Sequence, residues 1–281
     1  MSIKRTWHIK RTIRGTWRVL CYPLLFLGVQ LIVAVIWGVA VGLSVACAET
    51  SNPLNEINTI MILLVSSLLT LLILWLILKK EWKRIKFWTF SKMSICLFFL
   101  CLLLGFPFNL FMGGMIYFTR LTELTPRYHE MMSNIAGNNL FHEIIVIVIL
   151  APILEEIIFR GTILRRLMET SMKTRFVVLL QAILFGAVHL NIVQGIYTFV
   201  IGILLGIIYI RHKSIWAVII IHSTFNLFAV LIANLSTIEM NEYTTTSNGA
   251  LALVTIIAFI LSAAAVFGII KSKGRQEINR L

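Results

Sequence analysis

The sequence predicts an all-α, polytopic membrane protein of about eight transmembrane helices with both termini cytoplasmic. Three observations carry this expectation. Of 281 residues, 59% are hydrophobic and only 13% charged, and mean hydropathy is +0.92; that apolar share exceeds that of an ordinary soluble domain. Apolar runs near the roughly 20 residues needed to cross a hydrocarbon core recur along the chain. The basic residues alternate between loops as the positive-inside rule requires.

The runs fall at 19–47, 57–78, 93–118, 143–164, 176–191, 195–210, 215–235 and 249–270. The fifth and sixth are short and rely on their neighbours. Lys4, Arg5, Lys10, Arg11, Arg14 and Arg18 precede the first run, and Lys79, Lys80, Lys83, Arg84, Lys86 and Lys92 follow the second. Arg160, Arg165, Arg166, Lys173 and Arg175 accompany the end of the fourth, Arg211 and Lys213 the sixth, and Lys271, Lys273, Arg275 and Arg280 the eighth. Of 25 basic residues only Arg120 and Arg127 fall on the outer side, beside Glu49, Glu56, Glu123, Glu130, Glu239 and Glu242. An even number of spans starting and ending inside fits this sorting.

The formal charge of +13 follows the loops, as topology and anionic lipid head groups at the cytoplasmic face require, so no nucleic-acid partner is expected. Cys21, Cys47, Cys96 and Cys101 lie in apolar runs without paired metal-ligand spacing, and act as small hydrophobes rather than a disulfide framework. The basic start and apolar run ending Ala46-Cys47-Ala48 exceed a signal peptide in length and read as a retained first span. Residues 1–92 form a basic N-terminus with two additional spans, and 93–281 a six-span region. The 119–142 segment is too short for its own core, and TTTSNG at 244–249 is a loop.

Ionisable residues at membrane depth mark function by default. In APILEEIIFRGTILRR, residues 151–166, Glu156 and Arg160 are spaced i, i+4 and can pair on one helix face, while Glu155 points about 100° away and needs a partner from another helix. At about 1.5 Å per residue, Glu155 lies roughly 15 Å in from Arg165, too deep for its stem to reach water, whereas Arg160 could snorkel to head groups. Phe185 and His189 share a face of the fifth run, with His189 about 20 Å in, and His222 and Asn226 share a face of the seventh. Glu, His, His and Asn at comparable depth on three helices can activate a water and stabilise an oxyanion. The chain has no aspartate, which excludes an aspartyl dyad and a Ser-His-Asp triad. His129-Glu130 and His142-Glu143 are followed by Ser133 and Val146 where a second histidine would stand, so neither is a zincin motif. Gly42-Leu43-Ser44 lacks the flanking glycine of a serine nucleophile. Gly202 and Gly206 form a GxxxG pattern expected to serve close helix packing.

EE-x3-R at Glu155, Glu156 and Arg160, F-x3-H at Phe185 and His189, and H-x3-N at His222 and Asn226 occur in that order. This resembles the CPBP family, which comprises the CAAX prenyl endopeptidases, the bacteriocin-processing enzymes and the bacteriocin self-immunity (Abi) proteins. The resemblance covers about residues 140–235, the expected catalytic core. It implies an intramembrane endopeptidase in which Glu155 is the general base, His189 helps hold the attacking water, and His222 and Asn226 stabilise the oxyanion. Glu156, Arg160 and Phe185 would support them. The preferred reading requires no cofactor, because Asn226 is a poor zinc ligand and His222 is better used as an oxyanion donor. Zinc held by Glu155, His189 and His222 is the alternative.

The substrate expected is a membrane-associated or lipidated peptide. A non-proteolytic bacteriocin-immunity or scaffold protein is the alternative function. A proton-coupled carrier is a third reading, but the paired, broken hydrophobic repeats that would mark one are not visible.

Overall fold

The computed structural model describes residues 2–48, 59–84, 93–125, 128, 139–239 and 247–272. Among the loop positions read from sequence, Glu49, Glu56, Lys86, Lys92, Arg127, His129, Glu130, Ser133, Glu242, Lys273, Arg275, Arg280 and residues 244–246 lie outside the described residues. The described chain is helical, without strands. Its main elements are α1 (Ser2–Ala48), α2 (Thr59–Arg84), α3 (Ile95–Phe118), a composite helix α4 (140–168), α5 (Thr174–Ala187), α6 (Ile192–His212), α7 (Ile215–Glu239) and α8 (Asn248–Lys271).

Six of these, α1, α2, α3, α6, α7 and α8, are long and apolar enough to cross a membrane. The chain is a multi-pass membrane protein. The sixth run is longer than the sequence reading allowed, because Asn191 accepts from the Val193 and Gln194 amides and starts α6 at Ile192. Ser94 and Ser247 likewise receive the Leu97 and Ala250 amides at the starts of α3 and α8. Conversely, α5 has only 14 residues and ends at Ala187, so His189 is not on the fifth helix as its i, i+4 spacing suggested. Leu190, with φ 54°, turns the chain between α5 and α6. Non-helical backbone in the membrane is tolerated where it is covered by protein or lines a cavity.

The fourth run is also not one regular α-helix. Helical turns at Leu140–Glu143, Ala151–Glu156 and Arg165–Met168 alternate with π-helical segments at Ile144–Leu150 and Ile157–Leu164. Such i→i+5 segments are rare and frequently accompany functional sites. Element α4 packs against α1, α2, α5, α6 and α7, which wrap it in protein. Its residues 157–164 are all buried, Arg160 included. The outer helices instead turn large apolar side chains outward, such as Leu31 and Ile36 on α1 and Ile257 and Phe267 on α8, as lipid contact demands.

Helices α5 and α6 approach closely through glycine. A Cβ on Gly202 would stand 3.2 Å from both Ala182 Cα and Cβ, and one on Gly206 3.0 Å from Gln181 Oε1 and 3.3 Å from Val178. The GxxxG pattern therefore serves packing, as expected. Gly202→Leu should lower the thermal unfolding midpoint of the detergent-solubilised protein, since overpacking a close contact costs about 1–3 kcal/mol. Gly113→Ala, at a glycine whose added Cβ would meet nothing within 4 Å, should not lower it.

Candidate active site

The two π segments of α4 bracket the turn that carries Glu155 and Glu156. Glu156 Oε1 lies 2.7 Å from Arg160 Nη1, with both side chains fully buried. The pairing expected from i, i+4 spacing thus forms, but Arg160 does not snorkel. Its Nη2 donates to the Gly202 carbonyl on α6 at 3.2 Å, and its guanidinium sits 4.5 Å from the centre of the Phe185 ring. A guanidinium out of water is retained only when charge and hydrogen bonds replace its hydration. Here a carboxylate, a backbone carbonyl and an aromatic face do so.

His222, on α7, faces both glutamates. Its Nδ1 donates to Glu156 Oε1 at 2.9 Å, while its Nε2 stands 3.8 Å from Glu155 Oε2. The first is a hydrogen bond; the second is too long for one. Glu155 Oε2 is buried without a hydrogen-bond partner from the protein, although the Glu155 side chain as a whole is 13% exposed. Glu156 is therefore fixed by an arginine and a histidine, whereas Glu155 faces a histidine across a gap without bonding it. The two glutamates thus differ in what they bond.

Phe185 joins the remaining residues. Its buried ring meets His189 and His222 edge-on, at centroid distances of 5.3 and 5.8 Å, and Phe159 at 4.9 Å. His189, in the turn after α5, donates Nδ1–H to the Phe185 carbonyl at 2.8 Å. A carbonyl can only accept, so the neutral ring presents Nε2 as an acceptor. The turn keeps the i, i+4 relation of Phe185 and His189 even though the helix has ended. Asn226, one turn beyond His222 on α7, is directed elsewhere. Its Nδ2 donates to the Ile147 carbonyl of α4 at 2.9 Å.

The structure brings Glu155, Glu156, Arg160, Phe185 and His222 into one cluster, adds His189 through Phe185, and ties Asn226 to the backbone of α4. Two residues near this region were given no role from sequence. Tyr197 of α6 has its ring centre 6.3 Å from that of Phe225. Glu143, 1% exposed, accepts from Asn234 Nδ2 at 2.6 Å. It is a second buried acid, separate from the first cluster.

Glu155, His189 and His222 are the ligands that zinc would require. Among the described residues no three His, Cys, Asp or Glu side chains converge as a metal site.

Residues 137–228 match the family of type II CAAX prenyl endopeptidases described as Rce1-like. Over that third of the chain the match agrees with the resemblance to the CPBP family read from the motifs. A curated relative in Bacillus subtilis (strain 168), named "Putative membrane peptidase YdiL", is 39% identical over 90 residues. That match covers 31% of this chain and 36% of the relative, so the chain matches only about a third of that protein's length. No solved structure matches the chain. The CPBP match spans every residue of the cluster from Glu155 to Asn226, and leaves out α1, α2, α3 and α8.

Proposed function

We propose that this protein is an intramembrane endopeptidase of the CPBP type, hydrolysing a peptide bond in a membrane-associated or lipidated peptide. The observation that carries the proposal is Glu155: a carboxylate with a buried oxygen that has no protein partner, 3.8 Å from His222 Nε2, beside a glutamate whose Oε1 is held by both Arg160 and His222. A carboxylate held that way can take a proton from water.

In this reading a water donates one hydrogen to Glu155 and the other to His189 Nε2, leaving an oxygen lone pair aimed at the scissile carbonyl. Glu155 takes the proton as the C–O bond forms. His222, doubly protonated, donates Nδ1–H to Glu156 and Nε2–H to the oxyanion, and Asn226 offers its second amide hydrogen. The C–N bond then breaks and Glu155 passes its proton to the leaving amine. Arg160 and the imidazolium balance the two carboxylates, and Phe185 keeps both rings in place. The termini lie on the cytoplasmic side of the cell membrane, substrate enters from the cytoplasmic half, and the basic loops meet anionic lipids.

No step uses a metal, which sets a second expectation. Dialysis of the purified protein against a strong zinc chelator should leave turnover unchanged. A loss restored by zinc would make Glu155, His189 and His222 its ligands and replace this mechanism. The function itself is tested by comparing peptides from cells carrying wild type or Glu155→Gln. Fragments released only by wild type are expected. Identical peptides, with a resistance phenotype kept by the variant, would establish the immunity or scaffold function instead.

A further inference from the structure

The hydrogen bond from Asn226 falls on a carbonyl that the proline and the π register of α4 together leave without a backbone donor. In an α register the Ile147 carbonyl would receive the amide of residue 151, and in a π register that of residue 152. The Ala151 amide goes to Val146, at i−5. Residue 152 is proline, which has no amide hydrogen. Both helical donors are therefore gone, and Asn226 Nδ2 takes the place at 2.9 Å. An unpaired carbonyl at membrane depth is costly, so the gap has a binding preference of its own.

Its position gives this bond leverage. Ile147 lies two turns before Glu155 on α4, and Asn226 one turn after His222 on α7. Fixing Asn226 on Ile147 thereby fixes the register of the two helices that carry the carboxylates and His222. We propose that Pro152 and Asn226 form a positioning pair: proline opens a backbone acceptor in α4, and Asn226 docks α7 into it, setting the His222–Glu155 gap. The pair assigns Pro152 a part in the site and gives Asn226 a duty beyond the oxyanion. Its effect on turnover rests on the peptidase reading, but its effect on stability does not.

A double-mutant cycle on the full-length protein in detergent tests it. Asn226→Leu should lower both the unfolding midpoint and kcat, with KM less affected. Pro152→Ala restores an amide that can reach Ile147. Pro152→Ala combined with Asn226→Leu should therefore unfold at a higher temperature than Asn226→Leu alone and regain roughly tenfold in kcat, in the range of coupling between contacting residues. Additive effects on the midpoint would overturn the pair. A rescued midpoint without rescued kcat would keep the docking bond and remove its influence on the reaction. If the protein shows no peptidase activity, the midpoint cycle alone decides the docking. Should Pro152→Ala not fold, Asn226→Asp gives the independent reading: an acceptor facing the Ile147 carbonyl should lower the midpoint as much as leucine does, and an unchanged midpoint would overturn the proposal.

Discussion

Glu155→Gln is expected to reduce turnover by roughly 10²–10⁴-fold, the usual contribution of a positioned general base, while the protein keeps its helical content and unfolding midpoint. The two halves of this expectation have separate physical grounds. Glutamine copies the size of glutamate but cannot take a proton from water, so the first step of hydrolysis fails. The fold is indifferent because Glu155 Oε2 has no protein hydrogen bond to lose, and its separation from His222 Nε2 is already 3.8 Å. Glu156→Gln makes the contrasting control. It removes the charge that holds Arg160 at 2.7 Å and accepts from His222 at 2.9 Å, so it should lower the midpoint as well as the rate. The measurement is peptide cleavage by purified protein alongside a thermal melt. Wild-type cleavage by Glu155→Gln would remove this residue as the base.

The parts of the site legible in the sequence are those that depend on spacing along one helix. Glu156 and Arg160 meet because residues four apart face each other, and the pair tolerates the shift to a π register after Glu156. Gly202 and Gly206 were readable as a packing face for the same reason. What runs between helices was not readable. Nothing in the sequence assigns Glu156 both an arginine and a histidine, because the second partner arrives from a helix more than sixty residues away. The π segments escaped because a wholly apolar stretch such as Ile144–Leu150 carries no periodicity to distinguish one helical register from another. Pro152 was the visible clue, since it removes a donor wherever it stands. The early end of α5 also had a signal: Asn191 before a long apolar run is a helix start, and a helix cannot begin at Ile192 while its predecessor continues through the same residue.

Arg160→Leu is expected to have the largest effect on stability, about 3–5 kcal/mol, seen as a lowered unfolding midpoint in detergent. The substitution leaves a comparable apolar bulk, so the cost is not mainly a cavity. It arises because Glu156 stays buried and charged with only His222 Nδ1 beside it, and because the Gly202 carbonyl loses its side-chain donor. Arg160→Lys should recover little. A single ammonium cannot pair with Glu156, reach Gly202 and lie flat over Phe185 together, as the planar guanidinium does. If the buried charge is the cause, removing its partner should help. Glu156→Leu combined with Arg160→Leu should therefore be more stable than Arg160→Leu alone, though below wild type, because the His222 Nδ1–H then has no acceptor. The double variant should nonetheless remain inactive, since His222 is no longer held toward Glu155. A double variant less stable than Arg160→Leu would show that packing around Arg160, rather than compensation of the Glu156 charge, holds this part of the protein together.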